Sequence, residues 1–223
     1  MNQEQFTWIK TRDGSPTLWD NNISEPYRSL RGAFSESWHA FAAPAIECVH
    51  HHKLIPIVGE FGLGIGTNAI IFSIACEYYK IKFKYIAIEK KPALFFDCLN
   101  FWRNNSVLFI NFFKQKNIII DEEILTVAFN NLENIKIFES PTEKLPLVNI
   151  WFHDPFGIDV NPEGYTESTL NILKKNWQRP CFGFSYACNK LFKENLKKIG
   201  VKELTIIKKK TTNSNRDYLS FKY

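Results

Sequence analysis

Glu60-Phe61-Gly62-Leu63-Gly64-Ile65-Gly66-Thr67-Asn68 is the stretch that decides how this chain folds. Three glycines alternate with larger residues directly after Leu54–Gly59, a short apolar run that reads as a buried strand. Thr67–Tyr79 follows as a helix. Glycines at such a turn permit positive φ and let a ligand approach the backbone. In open α/β sheets ligands bind at the carboxyl ends of strands, where the strand order reverses. A strand, a glycine turn and a helix therefore predict an α/β domain with a ligand at its first turn.

The remaining sequence extends that pattern. Phe83–Glu89 is strand-like, and Pro92 suits the first turn of a helix running to about Arg103. Val107–Leu132 reads as two helical pieces broken near Asn117. Ile135–Phe138 and Val148–Phe152 are further strands, and Glu163–Trp177 a helix after Asn161-Pro162. Cys181–Ser185 is a strand, Asn189–Ile199 a helix stopped at Gly200, and Leu204–Lys208 with Tyr218–Tyr223 a closing hairpin. Strands alternating with helices imply a mostly parallel sheet covered on both faces. A terminal hairpin that adds an antiparallel strand fits the seven-stranded, Rossmann-like sheet of class I S-adenosylmethionine-dependent methyltransferases. Residues 54–223 form this domain in the sequence reading. Residues 1–53, irregular apart from a helix over Ser35–Cys48, form an N-terminal extension or lid packed on it.

Composition excludes several classes. Of 223 residues 45% are hydrophobic and the net charge is +5, which argues against a disordered chain. The apolar stretches Ala69–Ala75 and Leu147–Phe152 are well short of the ~20 residues a membrane span needs. Met1–Lys10 has no apolar signal region, and five cysteines without framework spacing suggest reduced thiols, so the expectation is a cytoplasmic protein with no membrane partner. His50-His51-His52 beside Cys48 is no metal site, since consecutive side chains do not converge on one ion and no second ligand cluster exists. Charge is unevenly spread. Residues 174–223 hold 13 Lys or Arg and 3 acids, leaving 15 basic and 20 acidic residues for the rest. That asymmetry fits a polyanionic partner as well as a merely solvated face.

The glycine turn admits two cofactors. Gly64-x-Gly66-x-x-Ala69, with Glu89 placed for ribose hydroxyls, satisfies a dinucleotide register and keeps an NAD(P)-dependent oxidoreductase as the alternative. Glu60, Gly62, Gly64 and Gly66 satisfy the S-adenosylmethionine register without gaps, and Glu89 serves the same sugar. The end of strand four, Ile150-Trp151-Phe152-His153-Asp154-Pro155-Phe156, favours the second. Methyl transfer from a sulfonium is an in-line displacement, so orienting the acceptor lone pair is the largest lever. Asp154 can accept a hydrogen bond from an amine and offset charge developing on it. Phe156 can stack on a base or an alkylammonium carbon.

These residues resemble a family: the methyltransferase domain of the tRNA 5-methylaminomethyl-2-thiouridine biosynthesis protein MnmC. Glu60 through Asn68 are similar to its E-x-G-F-G-T-G-x-N turn, and Glu89-Lys90-Lys91-Pro92-Ala93 to its acid-Lys-x-Pro-Leu segment. Trp151 through Tyr165 resemble its W-F-L-D-G-F-A-P-x-x-N-P-x-x-W loop, with Pro155 in place of Gly and Gly157-Ile158 in place of Ala-Pro. Asp13-Gly14, Thr17-Leu18, Asp20 and Glu36 through Phe41 are similar to its N-terminal elements, and Arg216 to a basic residue before its last strand. The resemblance implies N-methylation of an aminomethyl group on the wobble uridine of tRNA, with S-adenosylmethionine as donor and without the family's oxidase domain. It implies Asp154 and Phe156 as catalytic residues. It assigns Glu60, Gly62, Gly64, Gly66, Asn68, Glu89, Lys90, Glu139 and Ser140 to the cofactor, the last two where the family has Gly-Asp. Another amino-methyltransferase, of a base or a small amine, is the neighbouring reading. In this setting Lys190, Lys193, Lys197, Lys198 and Lys208 to Lys210 become phosphate contacts, and Trp19, Trp38, Phe41 and Phe156 candidate stacking platforms.

Overall fold

In the computed structural model, which describes residues 4–141, 145–211 and 214–223, the chain opens with regular structure where the sequence reads as irregular. β1 (Phe6–Lys10) and β2 (Pro16–Asp20) pair antiparallel, and β3 (Glu25–Pro26) joins β2. The signal for this hairpin is Asp13-Gly14, a turn dipeptide between two runs of β-formers. A continuous helical segment follows: α1 (Ala33–Ser37), a π turn (Trp38–Ala42) and α2 (Ala43–His52), which extends the expected Ser35–Cys48 at both ends. Asp13 fixes its start, because the carboxylate accepts from the Ser35 amide at 2.8 Å.

The rest runs β4 (Ile57–Phe61), α3 (Thr67–Tyr78), β5 (Lys84–Ile88), α4 (Pro92–Asn104), α5 (Val107–Lys114), α6 (Glu122–Glu133), β6 (Lys136–Phe138), β7 (Val148–His153), α7 (Glu167–Leu173), β8 (Trp177–Ser185), α8 (Lys190–Lys198), β9 (Glu203–Thr211) and β10 (Ser214–Lys222). Seven strands form one sheet in the order β6-β5-β4-β7-β8-β10-β9. β4 to β8 are parallel, and β10 lies antiparallel between β8 and β9. This is the class I, Rossmann-like methyltransferase fold. The strand order reverses at β4, flanked by β5 and β7, so the crevice above its carboxyl end is where a ligand binds.

Several boundaries differ from expectation; the first strand, expected over Leu54–Gly59, is β4 over Ile57–Phe61. Glu163–Trp177 is not one helix but a 3-10 turn (Pro162–Tyr165), α7 and a second 3-10 turn (Lys174–Asn176). Asn161 accepts from the Gly164 amide at 3.1 Å and Thr166 from the Thr169 amide at 3.2 Å, so two N-caps divide the segment. β8 begins at Trp177 rather than Cys181, because that indole packs on Phe221 and Trp151. β9 and β10 outrun the expected hairpin, since an edge pair carries polar residues such as Lys208 opposite Asp217 without burying them. Asn117, the expected break, adopts φ 58° between α5 and α6.

The N-terminal segments share the core of the sheet. Leu18, Phe34 and Phe41 belong to the same buried cluster as Val58, Phe72 and Phe152. Burying each such side chain contributes ~1.5–3 kcal/mol. Phe41 is fully buried and Trp38 packs edge-on against Phe113, so these two expected stacking platforms belong to the core.

Candidate active site

Three strand ends converge at the switch point, and the backbone ladder continues one residue past each. Gly62 N donates to Ile88 O at 3.0 Å, Glu89 N to Phe138 O at 2.8 Å and Asp154 N to Phe61 O at 2.9 Å. The glycine turn, Glu89 and Asp154 are therefore held in register by main chain. Gly62 has φ +90°, and a Cβ there would stand 2.5 Å from the Asp154 carbonyl oxygen. Only glycine lets the turn touch the loop after β7 at this distance.

A cavity of about 530 Å³ opens over these ends. Gly62, Gly64, Glu89, Lys90, Glu139, Asp154 and Phe156 line it, so most of the sequence-assigned residues come together. Glu60, Gly66 and Asn68 do not line it and lie beneath its wall, and Ser140 is exposed and off the lining. Glu89 is tied to the turn, with Oε2 accepting from Gly64 N at 2.8 Å and Oε1 from Lys91 N at 2.9 Å. Lys90 reaches across the mouth to Glu163 at 3.3 Å, an exposed pair worth little by itself.

The N-terminal segments contribute a wall that spacing did not reveal. Asp20, Glu25, Tyr27, Arg28 and Glu36 all line the cavity. Tyr27 covers Gly64 and meets Phe156 edge-on at 5.0 Å. These residues lie more than a hundred positions before Asp154, so no local pattern could join them. The sequence signals were Asp20 and Glu36, both within elements similar to the family's N-terminus. In all, seven acids (Asp20, Glu25, Glu36, Glu89, Glu139, Asp154, Glu163) face three cations (Arg28, Lys90, Lys91). Such a surplus of negative charge favours a cationic guest.

Asp154 sits at the cavity floor with its side chain 4% exposed. Its Oδ2 is ion-paired with Arg28 and accepts from Asn68 Nδ2 at 2.6 Å. Arg28 also lies 3.4 Å from Glu36 and over the Phe41 ring at 5.5 Å. The loop itself is pinned, for the Pro155 carbonyl accepts from Tyr186 at 2.8 Å and Tyr165 at 3.2 Å. His153 is fully buried and stacked on Phe192, and burial pushes its imidazole down to about 3, the Gly164 backbone opposing. It is a neutral packing residue.

Glu60 underpins the floor. Its carboxyl accepts from Asn68 and Tyr85, both at 2.8 Å. Burial pushes it up to about 7 against those hydrogen bonds and the Arg28 charge. The unfolded chain ionises near the usual carboxylate value, so between pH ~4.5 and ~7 only the unfolded state gives up the proton. Stability therefore falls with rising pH across that window and levels off above it. Glu60→Gln removes the effect. Urea denaturation at pH 4.5 and pH 8 is expected to show the variant gaining about 3 kcal/mol on the wild type over that interval.

Residues 93–220 match the profile of an S-adenosyl-L-methionine-dependent methyltransferase family, and the chain belongs to that family. The crystal structure of MnmC2 from Aquifex aeolicus superposes with a TM-score of 0.71 at 21% identity, covering 97% of this chain and 70% of that one. A putative O-methyltransferase from Nostoc punctiforme gives 0.47 at 10% identity, covering 87% and 59%. TrmN from Thermus thermophilus gives 0.42 at 11% identity, covering 89% and 53%. No curated protein matches the sequence.

The family assignment overturns the NAD(P)-dependent alternative: the cofactor is S-adenosylmethionine, and the protein is a methyltransferase. The site fits it. The cavity has the volume of a drug-sized guest, and its surplus of acids suits a cationic sulfonium. When bound, S-adenosylmethionine supplies an electrophilic methyl group on a sulfonium. Glu89 could hold the ribose hydroxyls, and Gly62 and Gly64 could bring backbone against the methionine end. Among the described residues no group of three or more His, Cys, Asp and Glu could hold a metal ion. Among them, too, no helix is long and apolar enough to cross a membrane.

Proposed function

We propose that this methyltransferase N-methylates the aminomethyl group on a tRNA wobble uridine, converting 5-aminomethyl-2-thiouridine to 5-methylaminomethyl-2-thiouridine. The observation that carries the amine is the acid-lined cavity with Asp154 at its floor. A surface so negative repels a phosphate backbone and accepts a base whose substituent is cationic. Asp154 would then orient the amine, and Phe156 with Tyr27 would stack the pyrimidine. Glu60 and Asn68 would support the floor, with Lys90, Glu139 and Ser140 on the adenosine side.

The tRNA rests on the motif resemblance and on the basic C-terminal third. Lys190, Lys197, Lys198 and Lys208 are exposed there, although Lys190 pairs with Glu194 at 3.8 Å and Lys198 with Glu167 at 3.7 Å. The side chains of Lys209, Lys210 and Arg216 lie outside the described residues. Residues 1–53 act in this reading as an extension that completes the acceptor side of the 54–223 domain.

Labelled methyl transfer to three acceptors tests the substrate class: tRNA bearing 5-aminomethyluridine, the free nucleoside, and simple primary amines. The tRNA is expected to win in kcat/KM, with an advantage that shrinks steeply as salt rises, as phosphate contacts require. Equal use of nucleoside and tRNA, independent of salt, would favour the small-amine reading.

A further inference from the structure

Arg28 is the one buried cation of the cavity floor among the described residues, 6% exposed and ion-paired with Asp154 and Glu36. Its position is fixed by the backbone, since the Arg28 amide donates to Thr17 Oγ1 at 2.9 Å. The sequence does not single it out, and orienting an amine does not on its face call for a second cation. An arginine beside the carboxylate competes with an ammonium for that carboxylate.

The chemistry of the acceptor resolves this. A primary aliphatic amine reaches the site as an ammonium, which has no lone pair to give. Two buried carboxylates beside it, Asp154 and Glu36, would hold it in that form, because nearby opposite charge favours the charged state. Glu60 from β4 adds partial negative charge, and Tyr85 from β5 and Tyr186 after β8 also feel the guanidinium. Arg28 cancels one of these negative charges and, together with Asn68, occupies one oxygen of Asp154, Oδ2.

We propose that Arg28 is a positioning residue that keeps the bound acceptor amine unprotonated and presents it to Asp154 through Oδ1 alone. This rests on the amine reading above. The acids toward the mouth attract the ammonium, and the neutralised floor lets its proton leave to water. The freed lone pair forms the new N–C bond as the C–S bond breaks, its electron pair leaving on sulfur. The resulting N-methylammonium then sheds its remaining surplus proton to water.

The test reads the protonation of the bound amine directly. 5-Aminomethyluridine labelled with ¹³C at the exocyclic methylene is bound together with S-adenosylhomocysteine, and its chemical shift is followed against pH. Arg28→Met is expected to raise the titration midpoint by about one to three pH units. Arg28→Lys should keep it near the wild-type position, and Glu36→Gln should move it down, so the sign is still read if the Met variant does not fold. In turnover, the acid limb of kcat/KM is expected to move with the midpoint, so the Arg28→Met deficit at neutral pH is recovered at alkaline pH. An unchanged midpoint in Arg28→Met and Glu36→Gln, or a deficit equal at every pH, overturns the proposal while leaving the amine reading intact. Failure of the wild type to bind the labelled amine sinks both.

Discussion

Asp154→Asn is expected to lower kcat for methyl transfer by about 10²–10³-fold while leaving S-adenosylmethionine affinity within a few-fold of wild type. The isosteric change keeps the floor filled. Its amide oxygen can still accept from Arg28 and Asn68, which now meet at Oδ2. Its amino group, however, points a donor at the acceptor nitrogen where the carboxylate offered an acceptor. The amine loses the bond that aims its lone pair and the charge that offsets its developing positive charge. Alanine is the poorer probe, because it leaves a buried guanidinium short of a partner, at a cost of about 3–5 kcal/mol in stability. Single-turnover rates set against titration calorimetry separate the two quantities. A cofactor affinity that collapses together with kcat would move Asp154 from the acceptor to the cofactor.

The second large effect belongs to Gly62. Gly62→Ala places a methyl group 2.5 Å from the Asp154 carbonyl oxygen and 2.9 Å from Pro155 Cα, at a φ of +90° that side chains rarely adopt. The atoms in the way are backbone, pinned by two tyrosines at the Pro155 carbonyl, so neither side yields cheaply. A displacement of ~1 Å in the catalytic loop is enough for about a 10²-fold loss of rate. Cofactor affinity should fall at least ~10-fold as the turn moves, and thermal denaturation should show a lower midpoint. Gly157→Ala supplies the control, since a Cβ there meets nothing within 4 Å. Wild-type rate and affinity in Gly62→Ala would mean that the turn and the loop are not in contact.

The domain was legible because its signals are local. Glu60 to Asn68 carry strand, turn and helix start within nine residues, and the alternation from Leu54 to Ile199 follows from hydrophobic runs bounded by Gly, Pro and Asn. The floor was half legible for the same reason. Glu89 and Asp154 each end a strand, and neighbouring parallel strands end together. What escaped is what long-range packing decides. Arg28 and Tyr27 follow a two-residue strand with no periodicity of its own, and reach Asp154 and Gly64 only because Leu18, Phe34 and Phe41 anchor the N-terminal segments in the common core. Glu60 fits a cofactor motif, yet the structure buries it under Asn68 and Tyr85, since a residue in a central strand points its side chain into one face or the other. His153 stands next to Asp154 in sequence, and the alternation of β7 turns it away into the Phe192 and Tyr165 cluster.

The most direct measurement is where the methyl group lands. tRNA carrying 5-aminomethyluridine at the wobble position is incubated with the protein and methyl-labelled S-adenosylmethionine, digested to nucleosides and analysed by mass spectrometry. A single added methyl on the exocyclic nitrogen, absent in Asp154→Asn and blocked by prior acetylation of the amine, is the result predicted. A methyl group on a ring atom or a ribose oxygen, or transfer undiminished by acetylation, would contradict the amine-directed cavity.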